Sequence, residues 1–357
     1  MNEIVRLPLP MPGPDGSPAH GPRPAPKLEK PFKVTICVNQ TCSMDCKLCY
    51  ADCGASKRPE LTTAQWKTFI DELIAEGFLH VFFEGGEPFH RPDFEELLAY
   101  CYRKLFVAVR THATLIDESR AKRLKALGIG RLYVDLFAAI PEIQDELTCQ
   151  PGSYDAVVAG IRHARAAGIK VTILGILSAK NAPHLQHYVD LARELDCDQV
   201  GVLRLYPLGR ARKNWAELSL TLPEMMAALN GLKVPPGVQL MQSWHPKDGN
   251  CCWQTAAVTP QGDSVGCPYM REYVNYGNVT ERSLLETWDH PLYRQLRAND
   301  VEDSCPDCST TQGTHGGCRS TAYAFTGRFT APDPYCTHHN KGEDLRVLPE
   351  WLLREGT

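Results

Sequence analysis

Three cysteines, Cys42, Cys46 and Cys49, share one short stretch directly after an apolar, β-branched run, and Tyr50 follows the third. Three thiolates spaced this closely can bind three irons of a cubane and leave its fourth iron open. An open iron suits a chelating ligand, such as the amino and carboxylate groups of an amino acid. The same spacing admits a structural zinc ion, with Cys37 or Cys53 as a fourth ligand, or unrelated free thiols. After the next apolar run comes Glu84-Gly85-Gly86-Glu87-Pro88. Paired glycines let a backbone approach a ligand closely, and a carboxylate accepts hydrogen bonds from an ammonium group. By itself, such a segment is an ordinary turn.

Composition narrows the setting in which these residues work. The chain has 357 residues, 43% of them hydrophobic, which is ample for a buried core. A formal net charge of −4 argues against a general nucleic-acid or anionic-membrane partner. No apolar run approaches the ~20 residues of a membrane span, and the N-terminus lacks the pattern of a secretory signal. A cytoplasmic protein is expected. Its 15 cysteines then point to metal binding or catalysis rather than to disulfides.

The elements that must position these residues follow from hydrophobic periodicity. Short apolar runs at 32–38, 79–84, 105–110, 131–136, 170–176 and 199–205 read as strands. Helical spacing fills the gaps at about 62–77, 93–104, 117–127, 153–168 and 184–196. Thr62 with Gln65 forms a predicted capping box, and Gly77, Gly128 and Gly168 stand at expected helix ends. Six strands alternating with helices imply a parallel sheet. An eight-fold barrel takes ~250 residues, so a partial (β/α)6 TIM-like barrel of the α/β class is expected. Both the cysteine loop and the paired glycines then fall at C-terminal strand ends, where active sites of this architecture lie. The expected divisions are a flexible Pro-rich tail (1–31), the barrel (32–232), a linker (233–246), a loop-rich cysteine region (247–340) and a C-terminal tail (341–357). The cysteine region reads as too poor in apolar residues for a core of its own.

CSMDCKLCY followed by EGGEP resembles the radical S-adenosylmethionine (SAM) superfamily, whose fold is a partial (β/α)6 barrel. The resemblance implies that Cys42, Cys46 and Cys49 ligate a [4Fe–4S] cluster. Gly85, Gly86 and Glu87 would hold the methionine end of SAM, with Tyr50 near the adenine. Arg110-Thr111-His112-Ala113-Thr114-Leu115-Ile116 stands where relatives often read TNGTLI, so His112 replaces the usual asparagine. The implied chemistry is reductive cleavage of SAM to a 5′-deoxyadenosyl radical that abstracts a hydrogen atom from the substrate.

Further along, Cys252, Gly262 and Cys267, then Cys305, Cys308 and Cys318, then Cys336 follow the order and spacing of the SPASM extension of radical SAM enzymes. That extension implies one or two auxiliary iron–sulfur clusters, [4Fe–4S] or [2Fe–2S]. Cys252, Cys267 and Cys318 would hold one, and Cys305, Cys308 and Cys336 the other. The departure is Thr314, where the pattern has a cysteine; His315 beside it is the candidate replacement, with His338 or Asp333 as alternatives. Cys37, Cys53, Cys101, Cys149, Cys197 and Cys251 are expected to be core or surface thiols, with Cys251 and Cys53 as candidate extra ligands. The segments around these cysteines resemble PqqE-like peptide-modifying enzymes and the radical SAM enzymes of haem biosynthesis, over about residues 32–340.

The resemblance implies oxidative modification of a ribosomally made peptide, by C–C or C–S bond formation or side-chain oxidation. A small molecule, such as a tetrapyrrole or a sugar-derived intermediate, is the alternative substrate. A pure electron carrier has no use for a SAM site. Segment 1–31 is too short for a leader-binding domain, so a separate leader-binding protein is expected, as is an external electron donor such as flavodoxin or ferredoxin. Glu84, Asp135, Arg204 and Tyr206, at strand ends, are the candidate substrate-facing residues, and Asn181 is a candidate contact to the SAM ribose.

Overall fold

A computed structural model of the chain describes residues 28–56, 58–243, 254–298, 301–302 and 317–354. Alternating strands and helices build the first part: β1 (Lys33–Cys37), α1 (Thr63–Ala75), β2 (His80–Glu84), α2 (Phe94–Cys101), β3 (Phe106–Thr111), α3 (Glu118–Ala126) and β4 (Arg131–Asp135). There follow α4 (Pro141–Thr148), α5 (Ser153–Ala166), β5 (Lys170–Ile176), α6 (Leu185–Glu194), β6 (Gln199–Leu203), α7 (Gly209–Lys213), α8 (Trp215–Leu218) and α9 (Leu222–Asn230). The remainder carries β7 (Gln239–Ser243), β8 (Thr255–Val258), α10 (Leu284–Trp288), α11 (Pro291–Ala298), α12 (Arg319–Thr326) and α13 (Glu350–Arg354).

All eight strands join one parallel sheet in the order β7-β6-β5-β4-β3-β2-β1-β8. The six expected strands are present, each within two residues of its predicted limits. The sheet is wider than the six-fold expectation. β7 lies within the expected linker and extends the sheet beyond β6, with Val200 opposite Leu240. β8 lies within the expected cysteine region and pairs with β1, Val34 opposite Ala256. The barrel sheet therefore begins and ends with residues from the C-terminal part of the chain.

Local chemistry explains the helices. Thr62 accepts a hydrogen bond from the Gln65 amide while the Gln65 side chain bonds back, the expected capping box. Trp66, Phe69, Ile70 and Leu73 recur at helical spacing and are all buried against the sheet. Each such side chain contributes roughly 1.5–3 kcal/mol by leaving water. Gly77, Gly128 and Gly168 end their helices in the left-handed region, as their positions predict.

Two sequence expectations are corrected. The cysteine region has a core of its own, in which Val265, Met270, Tyr276, Trp288, Tyr293 and Leu296 pack together. The rings of Tyr276 and Tyr293 stack there, with centroids 4.4 Å apart. The segment expected to be a C-terminal tail is also packed: Leu345, Leu348 and Leu352 are buried, and the Trp215 indole N–H donates to the Leu345 carbonyl. No helix among the described residues is long and apolar enough to cross a membrane.

Candidate active site

The cysteine loop connects β1 to α1 and rests on the Glu84–Pro88 turn. The Gly86 amide donates to the Asn39 carbonyl at 2.9 Å, and the Glu87 amide to the Thr41 carbonyl at 2.8 Å. Asn39 answers through its side-chain amide, which donates to the Glu87 carbonyl at 2.8 Å. The two backbones are so close that a Cβ at Gly85 would stand 2.3 Å from the Asn39 Oδ1, and one at Gly86 2.2 Å from the Thr41 carbonyl oxygen. Any side chain at either position separates the loop from the turn.

Between loop and strand ends lies a cavity of about 70 Å³. Cys42, Cys46 and Cys49 all line it, as do Gly85 and Gly86. Burial pushes the Cys42 thiol up to about 11 and raises Cys46 well above the usual thiol range. Cys49 is different. A hydrogen bond from the Cys53 thiol brings it down to about 6 against the opposing effect of burial, with help from the Cys53 amide and the Arg210 charge. Among the described residues, no three His, Cys, Asp or Glu side chains group closely enough to hold a single ion. The three thiols are instead spread around one cavity beside a turn that a side chain would block, an arrangement that fits a cubane cluster and a chelating ligand.

A charged floor completes the cavity. The Tyr50 hydroxyl donates to the Glu84 carboxylate at 2.6 Å, and the Cys37 thiol approaches the same oxygen at 3.4 Å. Arg110 forms a forked pair with Asp135, Nε and Nη2 to Oδ1 at 3.0 and 2.8 Å. It also stands 3.8 Å from Glu84. Burial raises the Asp135 pKa, and the Arg110 charge offsets part of that rise. Glu84, Asp135 and Tyr50 thus meet at the cavity as the sequence anticipates, whereas the role of Arg110 was not anticipated. An arginine ending a strand looks like any solvated terminus until the neighbouring strand brings up its carboxylate.

Three expectations are corrected by the geometry. The Glu87 carboxylate is fully buried and does not line the cavity, accepting instead from the Phe89 and His112 amides and the Thr111 hydroxyl. It positions the β3 end and is not available to a ligand ammonium. His112 lines the cavity, with Nε2 3.4 Å from that carboxylate. Asn181 spends its amide on the protein: it donates to the Phe137 and Ile176 carbonyls and accepts from the Ser178 amide. No group is left for a ribose. Arg204 is buried away from the cavity in a pair with Asp333 at 2.5 Å, joining the β6 end to the C-terminal part. Tyr206, its neighbour, stacks on Tyr269 with centroids 3.9 Å apart.

Of the C-terminal candidates, Cys252, Cys305, Cys308 and His315 lie outside the described residues, as do Cys251 and Thr314. Cys267 and Cys336 are buried and Cys318 is half-buried. Asp333 holds two of them at once, since its carboxylate accepts the Cys318 amide at 2.7 Å and its carbonyl the Cys336 amide at 2.8 Å. With its carboxylate also paired to Arg204, Asp333 serves as a scaffold rather than as the alternative cluster ligand.

Comparison with known proteins agrees with this architecture. The Radical SAM superfamily profile matches residues 36–192, and the SPASM profile, an iron–sulfur cluster-binding domain, matches residues 251–309. The PqqA peptide cyclase of Gluconobacter oxydans is 27% identical over 90% of this chain and 97% of its own length. The mycofactocin maturase MftC of Mycobacterium tuberculosis is 29% identical over 87% and 83%. The crystal structure of Streptococcus suis SuiB bound to precursor peptide SuiA superimposes with a TM-score of 0.70 at 17% identity, covering 87% of this chain and 76% of that one. With the cysteine loop, the glycine turn and the parallel barrel in place, the chain is an enzyme that carries a Radical SAM domain over residues 36–192 and a SPASM iron–sulfur cluster-binding domain over residues 251–309.

Proposed function

We propose that this enzyme oxidatively modifies a ribosomally made peptide, forming a C–C or C–S bond or oxidising a side chain. The observation that carries the reading is one cavity lined at once by three loop thiols, a side-chain-free glycine turn and a charged floor. Likeness to a peptide cyclase and a maturase over nearly their whole lengths supports a peptide as substrate. When bound, the cluster and SAM supply the 5′-deoxyadenosyl radical. The chain's own residues set the rest. Cys42, Cys46 and Cys49 hold the cluster, while the Gly85 and Gly86 backbone holds the methionine end of SAM. Glu84, Arg110 and Asp135 orient the polar part of the substrate, and Leu48, Phe137 and Ile176 keep water from the apolar side of the cavity. Cys267, Cys318 and Cys336 contribute to auxiliary clusters together with Cys252, Cys305, Cys308 and His315. Electrons come from a ferredoxin or flavodoxin, and a separate protein presents the peptide leader.

Anaerobic reconstitution followed by dithionite and SAM should release 5′-deoxyadenosine, and Cys42→Ala, Cys46→Ala or Cys49→Ala should abolish it. Co-expression with short reading frames from the gene's neighbourhood should yield a peptide lighter by two hydrogens or more. Persistence of 5′-deoxyadenosine in the cysteine variants would remove the cluster assignment. Unchanged masses for every such peptide would remove the peptide.

A further inference from the structure

The cysteine loop is held by a residue that no motif marks. Arg210 lies at the second position of α7, the helix that follows β6, more than 150 residues along the chain from the loop. Its own amide and that of Ala211 donate to the Cys49 carbonyl, at 2.9 and 3.3 Å. Its guanidinium donates to three further carbonyls of the loop: Nε to Cys46 at 3.0 Å, Nη1 to Cys53 at 2.5 Å and Nη2 to Met44 at 3.4 Å. Asp52 orients the fork by accepting from Nη1 at 3.2 Å, and Lys213 braces Asp52 at 3.3 Å. The side chain is 17% exposed and borders the same cavity as the thiols. A planar guanidinium carries five donors in a fixed fork, whereas an ammonium is a point charge on a flexible stem. One arginine thus fixes the backbone on both sides of the middle cysteine and places a positive charge behind three thiolates.

We propose that Arg210 is the positioning residue of the cysteine loop, holding its three thiols in cluster-binding register and favouring the reduced cluster through its charge. This rests on the assignment of Cys42, Cys46 and Cys49 as cluster ligands. A cluster gains one negative charge on reduction, and nearby charge and hydrogen bonding set its potential. The two parts of the role separate by substitution. Arg210→Lys keeps the charge and loses the fork; Arg210→Met loses both and keeps much of the apolar bulk.

The test uses the full chain reconstituted anaerobically. Its readouts are the midpoint potential of the electron paramagnetic resonance signal that responds to SAM, and the rate at which a chelator strips that cluster. Arg210→Lys should lose the cluster several-fold faster than wild type at an unchanged midpoint. Arg210→Met should lose it at least as fast, with the midpoint moved to more negative potential. Wild-type chelator resistance in both variants would overturn the clamp, and an unmoved midpoint in Arg210→Met would overturn the charge effect. Should Arg210→Met fail to fold, wild-type chelator resistance in Arg210→Lys overturns the proposal by itself. A wild-type protein with no SAM-responsive signal would instead overturn the ligand assignment.

Discussion

At the scale of single residues, the cavity sets three cysteines of one loop in different electrostatic states. Thiolates, not thiols, react with alkylating agents and bind metal. Cys49, lowered to about 6 by the hydrogen bond from Cys53, is a thiolate at neutral pH, whereas Cys42 at about 11 remains a thiol. Because the Cys49 value is depressed, its thiolate persists above pH 6 and is lost as the pH falls through that value. In metal-free protein, iodoacetamide should therefore modify Cys49 at least ~10-fold faster than Cys42 at pH 7. Its rate should fall away below about pH 6, and Cys53→Ala should shift that fall upward. Peptide mapping by mass spectrometry reads the sites separately. Equal labelling of Cys42 and Cys49 across this range would contradict the environment described for the loop.

At the scale of elements, the βα pattern was legible because buried parallel strands are dense in β-branched residues and their helices carry ordinary caps. β5 (KVTILGI) and the α1 capping box are examples. β8 escaped notice because TAAV is short and small-sided, and its pairing with β1 is a contact between residues over 200 positions apart. β7, QLMQS, is polar enough to pass for a linker. At the site, the cysteines and glycines were legible because their chemistry is local. Arg110 and Arg210 were not, because what defines them is the carboxylate or carbonyl that another element brings up. Asn181 was misjudged for the same reason: its amide brackets the ends of β4 and β5. Asn181→Ala leaves the Phe137 and Ile176 carbonyls and the Ser178 amide buried without that partner. A loss of about 2–4 kcal/mol is expected in denaturant unfolding of metal-free protein. A ribose contact would instead weaken SAM binding and leave metal-free stability unchanged.

At the scale of the whole molecule, the C-terminal part is built into the barrel through β8, through the Trp215 bond to Leu345 and through one ion pair with no exposed side-chain surface, Arg204 with Asp333. Asp333 also accepts the amides of Cys318 and Tyr335, so the pair ties the β6 end to the segment carrying two candidate cluster cysteines. Burying two charges costs desolvation that their attraction only partly returns, whereas removing one partner strands the other and costs about 3–5 kcal/mol. Arg204→Met should therefore destabilise the metal-free protein by about that amount. Asp333→Asn removes the charge while keeping an oxygen for the Cys318 amide, so adding it to Arg204→Met should restore more than half of the loss. Denaturant midpoints for the four proteins of this double-mutant cycle give the coupling directly. If the double variant is as unstable as the sum of its parts, the pair is not what couples the two regions. Iron retained by the C-terminal cysteines should follow the same order, lowest in Arg204→Met and recovered in the double variant, because the amide of Cys318 is held by the same carboxylate.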